Sequence, residues 1–166
     1  MSKEASKSSR SIVFHPLFVL LVSLIVASLY AIYATLRFSG DALHSQYYYV
    51  VPIVVPFFAF LFDRAERFYQ RTAIQLLVDA AVVLTAMWRV FGNVPYVSGH
   101  ALFLSYALLS SRSRVAQITA ALVMLEVIYL KFFVWHDWIS PTSGIVLGIL
   151  GAFISWRFRK TNINAD

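Results

Sequence analysis

The chain has 166 residues, 60% hydrophobic and only 13% charged, with a net charge of +6 and no cysteine. A soluble domain carries about 25% charged residues, so this chain has too few polar side chains to coat a water-facing surface, and its 16% aromatic content excludes a disordered one. The missing cysteines exclude a disulfide scaffold, thiolate zinc sites and a cysteine nucleophile.

The composition predicts an all-α integral membrane protein: a single domain over residues 1–166, built as a six-transmembrane-helix bundle with both termini cytoplasmic. Met1–Arg10 is a short polar, basic leader. The apolar run after it is too long for the h-region of a signal peptide. A crossing needs about 20 apolar residues, and six runs offer themselves: Ser11–Phe38, Tyr48–Phe62, Thr72–Phe91, His100–Ser111, Val115–Val134 and Thr142–Phe158. The second and fourth are short for a full crossing. Pro52 and Pro56 fall in the second, where neighbouring helices can satisfy the freed carbonyls. The runs are unbroken rather than alternating, which excludes a β-barrel.

With the N-terminus inside, Lys3, Lys7, Arg10, Arg64, Arg67, Arg71, Arg112, Arg114, Arg157, Arg159 and Lys160 are cytoplasmic. Only Arg37, Arg89 and Lys131 face outward. That asymmetry sets the orientation and explains the positive charge without nucleic acid. The loop Asp63–Arg71 reads as a solvated charged face, residues 159–166 as a polar cytoplasmic tail, and Tyr47–Tyr49 as an aromatic anchor at the outer boundary.

The outward ends also gather chemistry. Arg89 closes the third span, Lys131 lies near the end of the fifth, and His100 and His136 fall between and after them, with His44 in the first outer loop. Cations neutralise phosphate oxygens, and histidine serves as nucleophile or general acid near neutral pH. Ser98-Gly99-His100 at the start of the fourth span, then His136 followed by Gly144 and Gly148 eight and twelve positions on, resembles the phosphatidic acid phosphatase type 2 superfamily. The resemblance covers the third to sixth spans.

It implies a membrane lipid phosphatase acting on a lipid phosphate or diphosphate at the periplasmic or extracellular face of the plasma membrane, without metal or cofactor. His136 would be the nucleophile that forms a phosphohistidine, and His100 the general acid. Arg89, Ser98, Gly99 and Lys131 would hold the phosphate. The motifs depart from the family's pattern: Val97 replaces a proline, Leu130 with Lys131 next to it replaces an arginine, and Ser140 stands where an aspartate orients the nucleophile. Arg89 and Pro95 keep one cation and a proline of the first motif without its Arg-Pro pair. Asp137, beside His136, is a substitute support, and restoring the aspartate by Ser140→Asp is expected to raise activity. The alternative is a catalytically inactive member of the same fold, serving as a structural or lipid-binding subunit with membrane-protein partners or as a homo-oligomer.

Two acids lie at membrane depth, Asp79 in the third span and Glu126 in the fifth. Such residues form a proton path or a hydrogen-bonded packing contact, the latter with Asp79 in a protonated state. If their helices are neighbours, they can share a contact with Gln75, Thr85, Ser105 or Tyr106. His44, His100, His136 and Asp137 offer nitrogen and oxygen donors to a metal, but no tight ligand spacing accompanies them.

Overall fold

The computed structural model describes residues 15–91 and 96–158, apart from the side chains of Ala42, Ser45, Tyr49, Arg89, Val90 and Phe91. Residues 1–14, with the polar leader, the stretch 92–95, and the polar tail 159–166 lie outside the described residues. What is described is helical, with no strand. The helices are α1 (Pro16–Arg37), α2 (Gly40–Ser45), α3 (Val51–Glu66), α4 (Ala73–Phe91), α5 (Gly99–Ser110), α6 (Arg114–Tyr129) and α7 (Ile139–Arg157). π-helical turns at Gln46–Val50 and Leu130–Val134 lead into α3 and continue α6.

Four helical segments are long and apolar enough to cross a membrane: Pro16–Arg37, Gln46–Glu66, Arg114–Val134 and Ile139–Arg157. The apolar helices Ala73–Trp88 and Gly99–Ser110 are shorter. The second run is therefore longer than its hydropathy indicates, because the π turn carries the helix back through the tyrosines. The last helix begins three residues before Thr142, since Pro141 sits in a first turn, where no backbone N–H is required of it.

α5 is the centre of the bundle. It packs on α4, α6 and α7, while α3 packs on α1 and α6. Ala101 to Ala107 are all buried, and Phe103 and Tyr106 meet the Phe60 ring with centroids 5.4 and 5.9 Å apart. The α5–α7 seam is a stripe of small residues on α7: Ser140, Gly144, Gly148, Ala152 and Ser155. A Cβ on Gly144 would lie 2.5 Å from the Ser98 carbonyl oxygen, and one on Gly148 2.5 Å from that of Leu102. Close backbone approach of this kind is what small residues permit between membrane helices. The spaced glycines that follow His136 thus act in packing.

One end of the bundle holds a buried charge network; we call it the arginine end, and the opposite one the histidine end. Asp79 on α4 is 2.7 Å from Arg71 Nη2 and 3.3 Å from Arg64 Nε, and it accepts a hydrogen bond from the Tyr106 hydroxyl. Arg64 also pairs with Asp63 at 2.9 Å, donates to the carbonyl and hydroxyl of Ser110, and stacks over Phe60 with its guanidinium 4.2 Å from the ring centre. The Asp63 carboxylate, 2% exposed as a residue, accepts the backbone N–H of Ser113 at 2.9 Å. The Asp63–Arg71 segment is therefore only in part a solvated face: Glu66 and Phe68 to Gln70 are exposed, whereas Asp63, Arg64 and Arg71 are folded into the bundle, because Asp79 and the α5–α6 turn present partners for them. Asp79 is the centre of a network with Arg64, Arg71 and Tyr106 rather than an isolated packing contact. α4 and α6 each pack on α5 but not on one another; the bonds of Asp79 go to Arg64, Arg71 and Tyr106, and Glu126 makes no hydrogen bond or ion pair among the described residues.

Removing one partner of a buried ion pair typically costs about 3–5 kcal/mol, because the other charge is left without compensation. Asp79→Asn is expected to lower unfolding stability in detergent by about that amount, whereas Glu126→Gln should change it by under about 1 kcal/mol. A denaturant titration of the two variants beside the parent chain checks both. Equal effects would show that Asp79 does not hold the arginines.

Candidate functional site

At the histidine end the starts of α5 and α7 meet. Ser98 is the N-cap of α5, its hydroxyl oxygen accepting the Ala101 N–H at 3.4 Å, as serine does at this position. Its own N–H donates to the Ser140 carbonyl at 2.7 Å, tying α5 to the first turn of α7. Gly99 is buried with the Ala86 carbonyl against the place a Cβ would occupy, so α4 can cross here only because residue 99 is glycine. His100, in the first turn of α5, is half-buried and lines a cavity of about 260 Å³ with Ile53, Phe57, Val83, Met87 and Phe103.

The end of α6 brings in the cation. Widening to a π-helical turn over Leu130–Val134 carries Lys131 inward, where it is 7% exposed. Such π turns recur at functional sites. The Lys131 ammonium is 3.1 Å from Asp137 Oδ2 and 5.6 Å from the centre of the Trp135 ring. The turn is closed by His136, which adopts φ +51°, and by the Asp137 N–H, which donates to the Lys131 carbonyl at 2.8 Å. A left-handed residue after a helix is usually glycine, and a histidine there is held against a steric cost. The His136 side chain is exposed, with no hydrogen bond or ion pair among the described residues.

Asp137 organises the cluster. Its Oδ1 accepts the Ser140 N–H at 3.1 Å, and its Oδ2 accepts the Ser140 hydroxyl as well as the Lys131 ammonium. Burial pushes the Asp137 carboxyl upward, but the Ser140 hydroxyl and N–H and the Lys131 charge outweigh it and hold the pKa at about 2. The Ser140 hydroxyl is thus spent on Asp137 and does not orient His136. An Asp side chain that accepts the N–H three residues on, in the first turn of a helix, makes a capping contact, and Asp137 stands at that spacing from Ser140.

Bonds therefore join Ser98, Lys131, Asp137 and Ser140 into one cluster, and Gly99 and His100 follow Ser98 in the chain. His100 lines the cavity between α3, α4 and α5, whose walls do not include Lys131, Asp137 or the exposed His136. Arg89 falls in the last turns of α4, and its side chain lies outside the described residues. Asp79 and Glu126 take no part. Among the described residues no three histidine or acidic side chains come together as a metal-binding group. Set against known protein families, curated proteins and solved structures, the chain matches none of them.

The depressed Asp137 pKa fixes the sign of a pH effect. The group ionises near 3.8 when unperturbed and near 2 in the fold, so its contribution to stability is complete above about pH 4 and lost as the pH falls through about 2. Asp137→Asn is expected to lower stability at pH 7, with the deficit shrinking as the pH is taken toward 2. Unfolding midpoints of the two chains at several pH values check this, and a deficit constant down to pH 2 would exclude an ionised clamp.

Proposed function

We propose that all six apolar helices cross the membrane with both termini cytoplasmic, and that the histidine end is a metal-independent phosphatase site for a lipid phosphate or diphosphate at the outer face. The observation that carries this reading is the junction of two helix starts beside a buried ammonium: Ser98 N–H on the Ser140 carbonyl at 2.7 Å, and Lys131 on Asp137 at 3.1 Å. Helix N-termini favour anions, and a lysine at that place adds positive charge. The antiparallel course of α3 to α7 supports six crossings, because it returns the chain to this end three times, at the start of α3, between α4 and α5, and between α6 and α7.

In this mechanism a ring nitrogen of His136 attacks phosphorus while the bond from phosphorus to the lipid oxygen breaks. His100 gives its proton to the leaving oxygen, then takes one from the water that cleaves the phosphohistidine. Lys131 and Arg89 stabilise charge on the equatorial oxygens, which is where phosphoryl transfer depends on the protein. Ser98 and the Gly99 amide hold the phosphate in place.

One observation favours a second reading, the same fold binding a lipid phosphate without turnover. The charge of Lys131 is balanced by Asp137, and no carboxylate among the described residues is bonded to His136. The bond from Ser140 to Asp137 also reverses the expectation for Ser140→Asp. A carboxylate there would face that of Asp137 and push the clamp apart, so the substitution should weaken the site rather than restore it.

Phosphate release by the full-length protein in detergent, with chelator present, separates the readings. The substrates are phosphatidic acid, phosphatidylglycerol phosphate and a polyprenyl diphosphate. The hydrolytic reading expects release from at least one of them, abolished by His136→Ala, lowered by about 10²–10⁴-fold by His100→Ala, and not raised by Ser140→Asp. Release from none, with lipid phosphate still bound, establishes the second reading.

A further inference from the structure

A second recess opens at the histidine end, between α2 and the π-helical turn that ends α6. It has a volume of about 540 Å³, and its walls include Asp41, His44, Tyr48, Tyr129, Val134 and Trp135. Three aromatic rings and one carboxylate line it, and no lysine or arginine does, although the chain as a whole carries a charge of +6. Asp41 makes no ion pair among the described residues, whereas Asp63, Asp79 and Asp137 are all paired.

The chemistry of this wall selects its ligand. Ring faces carry negative charge density and attract cations, most strongly when the cation sheds its water. An anion would meet the same faces and the carboxylate with the wrong sign. An apolar chain would strip the carboxylate of water with nothing in return. One carboxylate and one imidazole fall short of the donor sets that zinc or calcium takes. An ammonium group satisfies all three constraints, and a methylated one does so best, because its methyl groups pack on the rings.

The recess also adjoins the phosphate-facing cluster. Tyr129, Val134 and Trp135 line it, while Lys131, in the same stretch of chain, pairs with Asp137. The Trp135 ring belongs to both, lining the recess and lying with its centre 5.6 Å from the Lys131 ammonium. We propose that the recess formed by Asp41, Tyr48, Tyr129 and Trp135 binds the ammonium group of an amine-bearing lipid headgroup. The phosphate half of that ligand rests on the reading of the site given above; the ammonium half stands on the recess alone.

The test uses the full-length protein in detergent, with tetramethylammonium chloride replacing sodium chloride at constant ionic strength and tryptophan emission as the readout. A saturable change is expected, and Trp135→Phe should remove most of it. Asp41→Asn should weaken binding about threefold or more, and Tyr48→Leu with Tyr129→Leu about three- to tenfold, the range of exposed cation–π and ion-pair contacts. Asp41→Glu should retain binding. These side chains are exposed, so the variants are expected to fold, and circular dichroism checks that they do. Binding of tetramethylammonium by a chain that releases no phosphate from any lipid would refute the hydrolytic reading and leave the ammonium site standing. No saturable response, or the same affinity in Asp41→Asn and in the double tyrosine variant, overturns the ammonium site whatever the phosphatase assay gives.

Discussion

Two arginines and one aspartate meet inside the helix bundle, and the position of everything else follows from that meeting. Arg64 ends α3, Arg71 precedes α4, and Asp79 lies on α4 beside the Tyr106 hydroxyl of α5. A buried charge without a partner costs several kcal/mol, so each of these groups is tolerable only while the others stay in reach. The requirement fixes the register of α3, α4 and α5 at the arginine end. Helices are stiff, so it also fixes where α5 starts at the other end, at the Ser98 cap and His100.

The α5–α7 seam transmits the same constraint by another physical route. The backbones of α5 and α7 approach until Gly144 and Gly148 have no room for a side chain, and that contact seats the first turn of α7 against Ser98. Asp137, bonded locally to Ser140 in that first turn, is thereby placed where the buried Lys131 finds its counter-charge. Charge pairing at one end and close packing along the seam thus set the geometry of a cluster at the other end, which shares Ser98 and Ser140 with the seam.

Much of this was legible in the sequence, and what was not has a common cause. Composition gave the helical, membrane-compatible class, and span alternation put His100, Lys131 and His136 toward one end. The glycine rhythm after His136 was visible, but its role as a seam required knowing which helix lies opposite. Hydropathy treats Asp63, Arg64 and Arg71 as groups that seek water; their burial depends on Asp79 and on the turn after Ser110, partners distant in sequence. The same holds for Lys131, whose inward path depends on a π-helical turn that no residue pattern announces. The pairing of Asp137 with Ser140 was closer to the surface of the sequence, since its spacing is that of a helix cap, but the resemblance to a phosphatase drew Ser140 toward His136 instead.

The twelve residues of α5 have a consequence for the bilayer. At 1.5 Å per residue the helix is about 18 Å long, well short of a hydrocarbon core of roughly 30 Å, while the segments Gln46–Glu66 and Arg114–Val134 beside it have 21 residues each. A short helix facing lipid would thin the membrane or tilt. This one is enclosed by its neighbours, with Ala101 to Ala107 all buried. In the six-crossing arrangement proposed above, the mismatch would therefore be taken up by protein rather than by lipid: Arg64 and the backbone around Ser113 held by Asp63 close one end of α5, and the buried Ser98 and Ser140 close the other.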